Sequence, residues 1–269
     1  MPELPEVFTV ATAMNKLLVG DTMVSWLRLS QKLRCPVPSA RQVFGLLNRP
    51  LLAVRRIAKS LYLDFGNERC LHAHLGMTGC FYLREKTDNR HLKHEHLRIE
   101  LASGRILSFC DPRRFGVIEL RALPGEHVVE PFAGELLPDY LASACSMSRR
   151  SIKSLIMDQK VIAGLGNIYA TEGLLLAGVM PDRPAGSLDQ SEIRAVIAGV
   201  LAVIHAAIAS GEQSQRLAGY VLNSETTHFP IVTHVYGRAG ESCGRCGKGT
   251  VACIRIAGRS SFYCPVCQK

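Results

Sequence analysis

The segment CGRCGKGTVACIRIAGRSSFYCPVC, residues 243–267, decides the fold of the C-terminal part of the chain. It contains two Cys-x-x-Cys pairs, Cys243/Cys246 and Cys264/Cys267, with 17 residues between them. Each pair can present two thiolates to one ion, and two pairs joined by a hairpin close a tetrahedral shell suited to zinc. Redox pairs and disulfides are alternatives, but the spacing is that of a zinc ribbon. We predict one structural zinc ion whose closed shell leaves no position for a substrate.

The residues between the two pairs, IRIAGRSSFY, have a strand-turn-strand pattern. We place its turn at Gly258-Arg259-Ser260. A guanidinium on a rigid hairpin tip can bind a phosphate with two hydrogen bonds, although Arg259 could equally be a solvated loop residue. The other six cysteines lack ligand spacing, and we expect them to be small buried apolar side chains. They are Cys35, Cys70, Cys80, Cys110, Cys145 and Cys253.

The composition indicates a folded, basic protein. Its 269 residues suggest two domains, and 47% are apolar, which is enough for a sizeable core. The formal charge of +9 favours a polyanionic partner, most commonly nucleic acid, over a basic enzyme with scattered charge. No basic run followed by an apolar stretch marks a secretory signal at the N-terminus.

The most apolar window is Ile193–Ala209, IRAVIAGVLAVIHAAIA. It carries Arg194 and His205 and is shorter than the roughly 20 residues that a membrane span needs. We therefore interpret it as a buried core helix and expect no membrane partner.

The first half of the chain is rich in short β-type runs. An amphipathic helix is predicted first, since Val7, Val10, Met14 and Leu18 recur at helical spacing before Gly20. The strand-like runs that follow cover residues 23–29, 51–57, 60–65, 70–75, 80–85, 96–101, 105–109 and 116–120, and a short helical pattern lies near 40–47. Turn signals at hairpin intervals favour an antiparallel β-sandwich or flattened barrel with a leading helix.

Helical periodicity dominates the second half. Residues 122–138 contain three prolines and two glycines and are interpreted as a linker. The predicted helices are Ser151–Met157, Asn167–Ala177 and Leu188–Ala209. Ser187 and Gln190 have the spacing of a capping box at the start of the last helix.

The expected fold class is α+β with two domains. We assign residues 1–121 to the β-sandwich domain and 122–138 to the linker. Residues 139–234 are assigned to a helical domain and 235–269 to the zinc ribbon.

The opening MPELPEV allows two interpretations. Prolines and glutamates suit the first turn of a helix, where the N–H groups lack intrahelical acceptors and the helix dipole favours negative charge. However, removal of Met1 would make Pro2 the N-terminus, with Glu3 beside it. An α-amino group has a pKa of about 8, so a useful fraction is unprotonated and nucleophilic at neutral pH.

Several further motifs accompany this opening in a fixed order. They are AKSLYLDF (58–65), HLGMTG (74–79), DPRRFG (111–116), DQKVIAGLGNIYATEGL (158–174) and VYGRAGESCGRCG (235–247). With MPELPE and the cysteine pairs, they resemble the bacterial formamidopyrimidine-DNA glycosylases, repair enzymes that excise oxidised purines. The related endonuclease VIII branch typically begins MPEGPE. The resemblance covers nearly the whole chain and implies that the helical domain is a helix-two-turn-helix domain.

The resemblance implies specific catalytic roles. The secondary amine of Pro2 attacks the anomeric carbon of the damaged nucleotide and expels the base, forming an iminium ion that serves as an electron sink for β- and δ-elimination. Glu3 is the acid/base residue at the sugar, and Glu6 is a supporting residue. Lys59 contacts the phosphate beside the lesion and assists elimination, whereas alone it would read as an ordinary strand-edge lysine. The implied activities are those of a DNA-formamidopyrimidine glycosylase and an apurinic or apyrimidinic site lyase.

Extrusion of the damaged base leaves a hole in the duplex that must be filled. By resemblance, Met77, Arg113 and Phe115 fill it: thioether and phenyl groups enter the stack, and the guanidinium contacts the orphaned base. Met77 and Phe115 alone would more often be core residues. Because they lie in glycine-containing turns beside charged residues, we expect exposed loop tips.

Phosphate contacts are expected from several segments. His74 and Asn167 match family positions that bind the DNA backbone, and Asn167 follows a glycine-bounded loop at a helix N-terminus, which suits a phosphate. Lys153 and Lys160 add positive charge. Arg259 is then expected to hold the phosphates around the extruded nucleotide, so we also count it as catalytic.

The chain departs from the family at Asn223–Pro230, where NSETTHFP stands in place of a pattern like DGxxGYF. This region of the family folds over the extruded base, and the segment Ser224–Thr227 still offers amides and hydroxyls to an oxidised purine. The preferred lesion therefore stays open. Alternatives are a preference for oxidised pyrimidines or abasic sites, and a protein that binds damaged DNA without cutting it. In all cases the expected partner is damaged double-stranded DNA, bound by a monomer at the nucleoid of a bacterial cytoplasm.

Overall fold

The computed structural model describes residues 2–30, 33–88, 92–125, 128–132, 134, 136–218 and 233–269. These residues form two compact units. The first contains the chain up to residue 125 and the end of a long helix from residue 210; the second contains residues 128–209 and the segment from 233. The boundary lies within the predicted linker 122–138, and the finer domain bounds stay predictions.

The first unit opens with helix α1, Leu4–Leu18. Glu3 is its N-cap and forms a capping box with Glu6, and a proline occupies the first turn. Val7, Met14 and other residues at helical spacing are buried in the core of the unit. The predicted amphipathic helix is thus confirmed, and Gly20, with φ of 88°, follows its end.

The described part of this unit contains eight strands. They are β1 (Met23–Arg28), β2 (Ala53–Ile57), β3 (Ser60–Asp64), β4 (Cys70–His74), β5 (Cys80–Glu85), β6 (Glu95–Leu101), β7 (Arg105–Cys110) and β8 (Val117–Arg121). One antiparallel sheet has the order β1-β6-β7-β5 and the other β2-β3-β4-β8. The predicted short helix near 40–47 is a single turn, α2 (Ala40–Val43), that continues as a 3₁₀ turn to Leu46.

The core of this unit is built by alternation along the strands. Leu61 and Leu63 of β3, and Leu107 and Phe109 of β7, are buried together with residues of α1. Side chains two apart share one face of a strand, so both sheets contribute one apolar face to this core. The predicted antiparallel sandwich with a leading helix is confirmed.

Asn15 attaches α1 to the edge strand β2. Its side-chain amide donates to the carbonyl of Val54 at 2.6 Å, and its Oδ1 accepts from the Val54 N–H at 2.9 Å. Because β2 is the outermost described strand of its sheet, this edge of its backbone has no neighbouring strand among the described residues. The amide therefore satisfies an open sheet edge and fixes the helix against it.

The register of the second sheet gathers three segments at one end. Ser60 lies opposite His74, and His74 lies opposite Val117. The turn before Ser60, the residues after His74 and the loop before Val117 therefore meet. At this point Gly76 has φ of 63°, and a Cβ placed on it would lie 2.5 Å from the carbonyl carbon of Phe115. Only glycine allows so close an approach of the two loops.

Replacement of Gly76 tests this close approach. Gly76→Ala should destabilise the protein by about 1–3 kcal/mol more than Gly104→Ala, because it adds a backbone clash to the strain of a positive φ. Gly104 is the matched control, since its φ is 83° and nothing lies within 4 Å of an added Cβ. Urea unfolding of both variants measures the difference, and equal free energies of unfolding would contradict the predicted clash.

The second unit is mainly helical. Its described helices are α3 (Pro138–Cys145), α4 (Ile152–Ile156), α5 (Asn167–Ala177) and α6 (Gln190–Ala218). The part of α6 from residue 210 belongs to the first unit. The α5 prediction is confirmed at both ends, α4 is shorter than predicted, and α6 extends beyond Ala209. Helix α3 was not expected from the sequence.

The capping box of α6 differs from the predicted pair Ser187 and Gln190. The Glu192 N–H donates to Asp189 Oδ1 at 2.8 Å, and Glu192 Oε2 accepts from the Asp189 N–H at 3.0 Å. Ser187 instead belongs to a preceding 3₁₀ turn and donates to the Pro184 carbonyl. The prediction was wrong because this extra turn moves the helix start two residues along the chain.

By length and composition alone, one described helix, Gln190–Gly211 within α6, could cross a membrane. Its buried residues Ile193, Val196, Val200 and Ile204 follow each other at intervals of three and four, which places them in one stripe. A single buried stripe is typical of a core helix in a folded domain. The interpretation of this segment as a core helix therefore agrees with the structure.

The C-terminal segment forms a hairpin of β9 (Ala252–Ile256) and β10 (Arg259–Tyr263). Its turn consists of Ala257 and Gly258, both with positive φ (48° and 76°), as in the two-residue turns that suit antiparallel hairpins. The predicted turn Gly258–Ser260 was therefore wrong. Arg259 is the exposed first residue of β10, directly opposite Ile256.

Candidate functional site

The N-terminal residues of the predicted site are buried at the start of α1. Pro2 is buried, and Glu3 is 2% exposed. Glu6 Oε2 accepts the Glu3 N–H at 2.7 Å, and the Glu3 carboxylate accepts the Glu6 N–H. Both carboxylates lie where the helix dipole favours negative charge. The helix-start and chemical interpretations of MPELPE are therefore compatible, since one arrangement caps the helix and fixes Glu3 beside Pro2.

Lys59 lies in the two-residue turn between β2 and β3, beside Ala58, whose φ is 52°. The Arg56 guanidinium donates to the Ala58 carbonyl at 2.9 Å and supports this turn. Lys59 is half-buried. It is thus a hairpin-turn residue rather than the strand-edge lysine that a single-residue interpretation would suggest.

His74 ends β4 at the same end of the sheet. Its Nδ1 accepts the Gly76 N–H at 3.0 Å, so the neutral ring carries its proton on Nε2. Burial lowers the pKa of His74 below its ordinary value, and the nearby His72, Lys59 and Arg34 lower it further. The ring is therefore neutral near pH 7 and offers an N–H donor.

The carboxylate of Asp111 joins the loops that carry the other predicted DNA-contacting residues of this unit. Asp111 has no exposed surface. Its Oδ1 accepts from the Thr78 hydroxyl at 2.5 Å and the Arg113 N–H at 3.2 Å, and its Oδ2 accepts from the Gly116 N–H at 2.7 Å. One buried side chain thus holds residues 75–79 against 111–116. Asp111 is the first residue of the DPRRFG motif, and no sequence pattern predicted this role for it.

The tips of these two loops are exposed. Met77 is 38% and Phe115 44% exposed, which confirms the prediction of exposed loop tips. The Arg113 guanidinium lies 5.0 Å from the centre of the Phe115 ring, within the range of a cation–π contact. An apolar pair and a cation are therefore presented to solvent from the joined loops 75–79 and 111–116, which we call the loop platform.

An Asp111→Asn substitution tests the role of this carboxylate. The amide that replaces one oxygen cannot accept, so one of the buried donors loses its partner at a cost of about 1–3 kcal/mol. We expect a lower Tm for Asp111→Asn than for Glu68→Gln, a matched change of an exposed carboxylate. Equal thermal unfolding temperatures would show that the carboxylate does not stabilise the loops.

Asn167 begins α5, and Gly166 is the N-cap. The Asn167 Nδ2 donates to the carbonyl of Ser260 at 3.2 Å. Among the described residues its buried Oδ1 has no hydrogen-bond partner. The structure thus brings Asn167 next to β10, the strand that begins with Arg259.

Lys153 is 1% exposed. Its ammonium donates to Ser261 Oγ at 2.8 Å and to the Ser260 carbonyl at 3.3 Å. The side chain therefore joins α4 to β10, a structural role that the sequence did not suggest. Its predicted contribution of charge at a DNA surface stays a prediction, and Lys160 is exposed.

Arg259 and Lys153 line a cavity of about 220 Å³ between α4 and the hairpin. Arg150 and Asp158 also line it and form an ion pair at 3.0 Å. Three cationic side chains against one carboxylate make this cavity suited to an anion.

Glu172 is a second buried carboxylate without a predicted role. It is 2% exposed and accepts three backbone N–H groups, those of His234 (3.0 Å), Val235 (3.0 Å) and Tyr236 (2.8 Å). It therefore fixes the start of the ribbon segment to α5. No local pattern in the sequence predicts this role of Glu172, because its hydrogen-bond partners lie about sixty residues away along the chain.

The four ribbon cysteines are brought together as predicted. The Sγ atoms of Cys243, Cys246, Cys264 and Cys267 all lie within 4.8 Å of one another, so this set could hold a metal ion. The N–H groups of Gly249 and Lys248 lower the pKa of Cys246 to about 6, which favours the thiolate that a metal requires. A Cβ on Gly249 would lie 2.4 Å from the sulfur of Cys264, so the cradle needs glycine there.

The prediction for the other cysteines was only partly correct. Cys70, Cys80, Cys110 and Cys145 are buried. Cys253 is exposed on β9 and Cys35 is half-buried, because a two-stranded hairpin and a loop leave one side open to solvent. The segment Asn223–Pro230, on which the lesion preference was predicted to depend, lies outside the described residues.

Comparison with known proteins identifies the class. Residues 1–118 match the model of the formamidopyrimidine-DNA glycosylase N-terminal domain, and residues 128–218 match its H2TH domain. The formamidopyrimidine-DNA glycosylases of Yersinia enterocolitica and Rickettsia africae are 36% and 37% identical to this chain over all of it and 100% and 99% of their own length.

Solved structures agree with this result. The Lactococcus lactis Fpg in complex with DNA containing an abasic site has a TM-score of 0.88 and 30% identity over all of both chains. A complex of the same protein with Fapy-dG-containing DNA has a TM-score of 0.87 and 28% identity over 99% of this chain and 100% of the other. The chain therefore belongs to the formamidopyrimidine-DNA glycosylase family.

Proposed function

We propose that this protein is a DNA glycosylase and abasic-site lyase of base excision repair that excises oxidised purines from double-stranded DNA. The observation that most directly supports this function is the start of α1. There Pro2 and Glu3 are both buried, in a unit that matches the family over residues 1–118. The full-length relatives support the same function, since the matches cover the whole chain.

The proposed reaction begins once Met1 is removed, because a retained Met1 would turn the Pro2 nitrogen into an unreactive amide. The secondary amine attacks C1′ of the damaged nucleotide, the bond from C1′ to the base breaks, and the base leaves with a proton. The C1′–O4′ bond of the sugar then breaks: Glu3 gives a proton to O4′, and the nitrogen lone pair forms the C=N bond of an iminium ion. The resulting iminium nitrogen has no N–H to lose, so it retains its charge and promotes β- and then δ-elimination of the phosphates.

Lys59 and His74 are proposed to hold the phosphates at this site. The distance along α1 from Asn15 back to Leu4 is about 17 Å at 1.5 Å per residue. From Val54, the rest of β2 and the turn after it reach at most about 17 Å to Lys59 at 3.3 Å per residue. Since Asn15 bonds Val54, the start of α1 and Lys59 both lie within about this distance of one shared contact.

The loop platform and the helical unit are proposed to bind the rest of the DNA. Met77, Arg113 and Phe115 enter the space left by the extruded base. Asn167 and Arg259 hold phosphates; the Asn167 N–H lies at a helix N-terminus, where anions bind favourably. The Lactococcus lactis relative forms complexes with abasic and Fapy-dG DNA, which supports damaged duplex DNA as the partner here.

A second candidate is a preference for oxidised pyrimidines. The Lactococcus lactis Fpg also forms a complex with DNA containing an oxidised pyrimidine, with a TM-score of 0.85 and 28% identity. The altered segment NSETTHFP lies where the family contacts the extruded base. Direct comparison of lesions therefore has to decide between the two preferences.

We propose that the four-cysteine set binds one zinc ion. A complete thiolate shell is closed to substrate, so the ion stabilises the fold and takes no part in the reaction. Its effect on DNA is indirect, because it holds the hairpin that presents Arg259 near Asn167. We further propose a monomer that works at the nucleoid of the bacterial cytoplasm, as its bacterial relatives suggest.

Borohydride trapping tests the proposed reaction. Duplexes carrying 8-oxoguanine, a formamidopyrimidine, thymine glycol or an abasic site are incubated with the protein, and reduction of the iminium gives a covalent adduct. We expect adducts with the oxidised purines and the abasic site. Trapping only with thymine glycol would establish the pyrimidine preference, and no adduct with any duplex would refute the enzyme function.

Two variants identify the nucleophile. Pro2→Gly should lose or greatly slow base excision, whereas Pro5→Ala, which changes the other N-terminal proline and leaves the terminal amine intact, should still form the adduct. Intact mass must first show that Met1 is absent. Excision by Pro2→Gly at the wild-type rate would mean that Pro2 is not the nucleophile.

Metal analysis tests the zinc proposal. The wild type and Cys253→Ser should bind one zinc ion per chain, because Cys253 lies outside the cluster, whereas Cys264→Ser should lose the metal. Loss should increase hydrogen exchange in residues 233–269 and weaken binding of abasic-site DNA. Full metal content in Cys264→Ser would contradict the assigned ligand set.

A further inference from the structure

Two cysteines outside the ribbon lie opposite each other on adjacent strands of the first sheet. Cys80 begins β5 and Cys110 ends β7, and the register places them directly opposite each other. They are 6% and 3% exposed, and both are present as thiols. Directly opposed residues of antiparallel strands point to the same face of the sheet, so the two side chains are neighbours.

The backbone geometry of this pair suits a disulfide. Opposed residues in antiparallel strands have Cα atoms about 4.5–5.5 Å apart. Disulfides join Cα atoms that are about 4.4–6.8 Å apart, so the backbone does not have to move. The Cys80 thiol donates a weak hydrogen bond to the carbonyl oxygen of Cys110 at 3.6 Å. Among the described residues outside the ribbon, the strand registers place no other two cysteines opposite each other.

The position of the pair connects it to the loop platform. Cys80 directly follows Gly79, at the end of the loop that carries Met77, and Cys110 directly precedes Asp111. The cysteines therefore lie at the bases of the two loops that the Asp111 carboxylate joins. A covalent bond here would fix the separation of the two loops independently of that carboxylate.

We propose that Cys80 and Cys110 are an oxidative modification site, and that hydroperoxides convert them to a disulfide that staples the loop platform. One thiolate attacks a peroxide oxygen, the O–O bond breaks, and a sulfenic acid and hydroxide form. The second thiol displaces the sulfenic oxygen as water, forming the S–S bond. In total, two thiols lose two electrons and two protons, and hydrogen peroxide is reduced to two water molecules.

The pair remains reduced under ordinary cytosolic conditions. Burial and the neighbouring Cys80 raise the pKa of Cys110 to about 12, so this side chain is a thiol at neutral pH and reacts slowly. Oxidation therefore requires sustained exposure to peroxide. Since the two strands are already in register, the disulfide should retain the native loop separation. It should therefore stabilise the loop platform and leave DNA binding unchanged.

Peptide mapping of the full-length, zinc-loaded protein tests the modification. After treatment with hydrogen peroxide and blocking of remaining thiols, we expect a linked peptide that contains Cys80 and Cys110 and lacks the mass of two hydrogen atoms. Cys80→Ser and Cys110→Ser should each abolish this peptide. Oxidation of ribbon cysteines alone, or linkage of either residue to another cysteine, would overturn the proposal.

The Tm provides the second readout. The disulfide closes a long loop and restricts the unfolded chain, so oxidised wild type should have a higher Tm than reduced wild type. Dithiothreitol should reverse the rise. The double variant Cys80→Ser/Cys110→Ser is the control for peroxide effects on all other thiols and should show no rise. A mapped disulfide with an unchanged or lower Tm would refute the stapling role.

The consequence for DNA rests on the proposed function. Oxidised wild type with its zinc retained should trap abasic-site DNA to the same extent as reduced protein, and should keep this activity at temperatures that inactivate the reduced protein. Loss of trapping on disulfide formation, restored by dithiothreitol, would show an inhibitory switch instead. Because mapping and Tm require no DNA, failure of the proposed enzyme function would not affect those two results.

Discussion

The carboxylate of Asp111 is the interaction on which the exposed loops of the first unit depend. It is fully buried, and its hydrogen bonds come from both loops. Away from water such bonds are strong, while a donor left without its acceptor is costly. The exposed side chains Met77, Arg113 and Phe115 therefore extend from loops that this buried carboxylate holds together. Loops held in this way suit the insertion into a base stack that we propose for these side chains.

In the second unit, too, buried charged side chains hold the backbone in place through hydrogen bonds. Glu172 holds the backbone that leads into the ribbon, and Lys153 holds β10 against α4. Together they fix the hairpin that presents Arg259 beside Asn167. In both units, buried charged groups with several hydrogen bonds support exposed groups that are free to meet a ligand. Zinc in the four-cysteine cluster would add a covalent constraint to the same hairpin.

Much of the secondary structure follows from the sequence because it depends on neighbours along the chain. Alternating apolar residues identify the strands, and helical spacing identifies α1 and α5. Errors arose where local alternatives compete: Asp189 rather than Ser187 caps α6, and Ala257 and Gly258 rather than Arg259 form the ribbon turn. In both cases several adjacent residues had suitable chemistry. Only the backbone angles and hydrogen bonds distinguish between them.

The sequence by itself determined the family, the candidate nucleophile Pro2 with Glu3, and the four cysteines of the ribbon, because each depends on residue types at fixed spacing. Only the tertiary structure decided that Lys153 is buried, that Asp111 and Glu172 support the site, and that Cys80 lies opposite Cys110. These features depend on contacts between residues far apart in the chain. Strand register and burial create such contacts, and neither can be read from a local pattern.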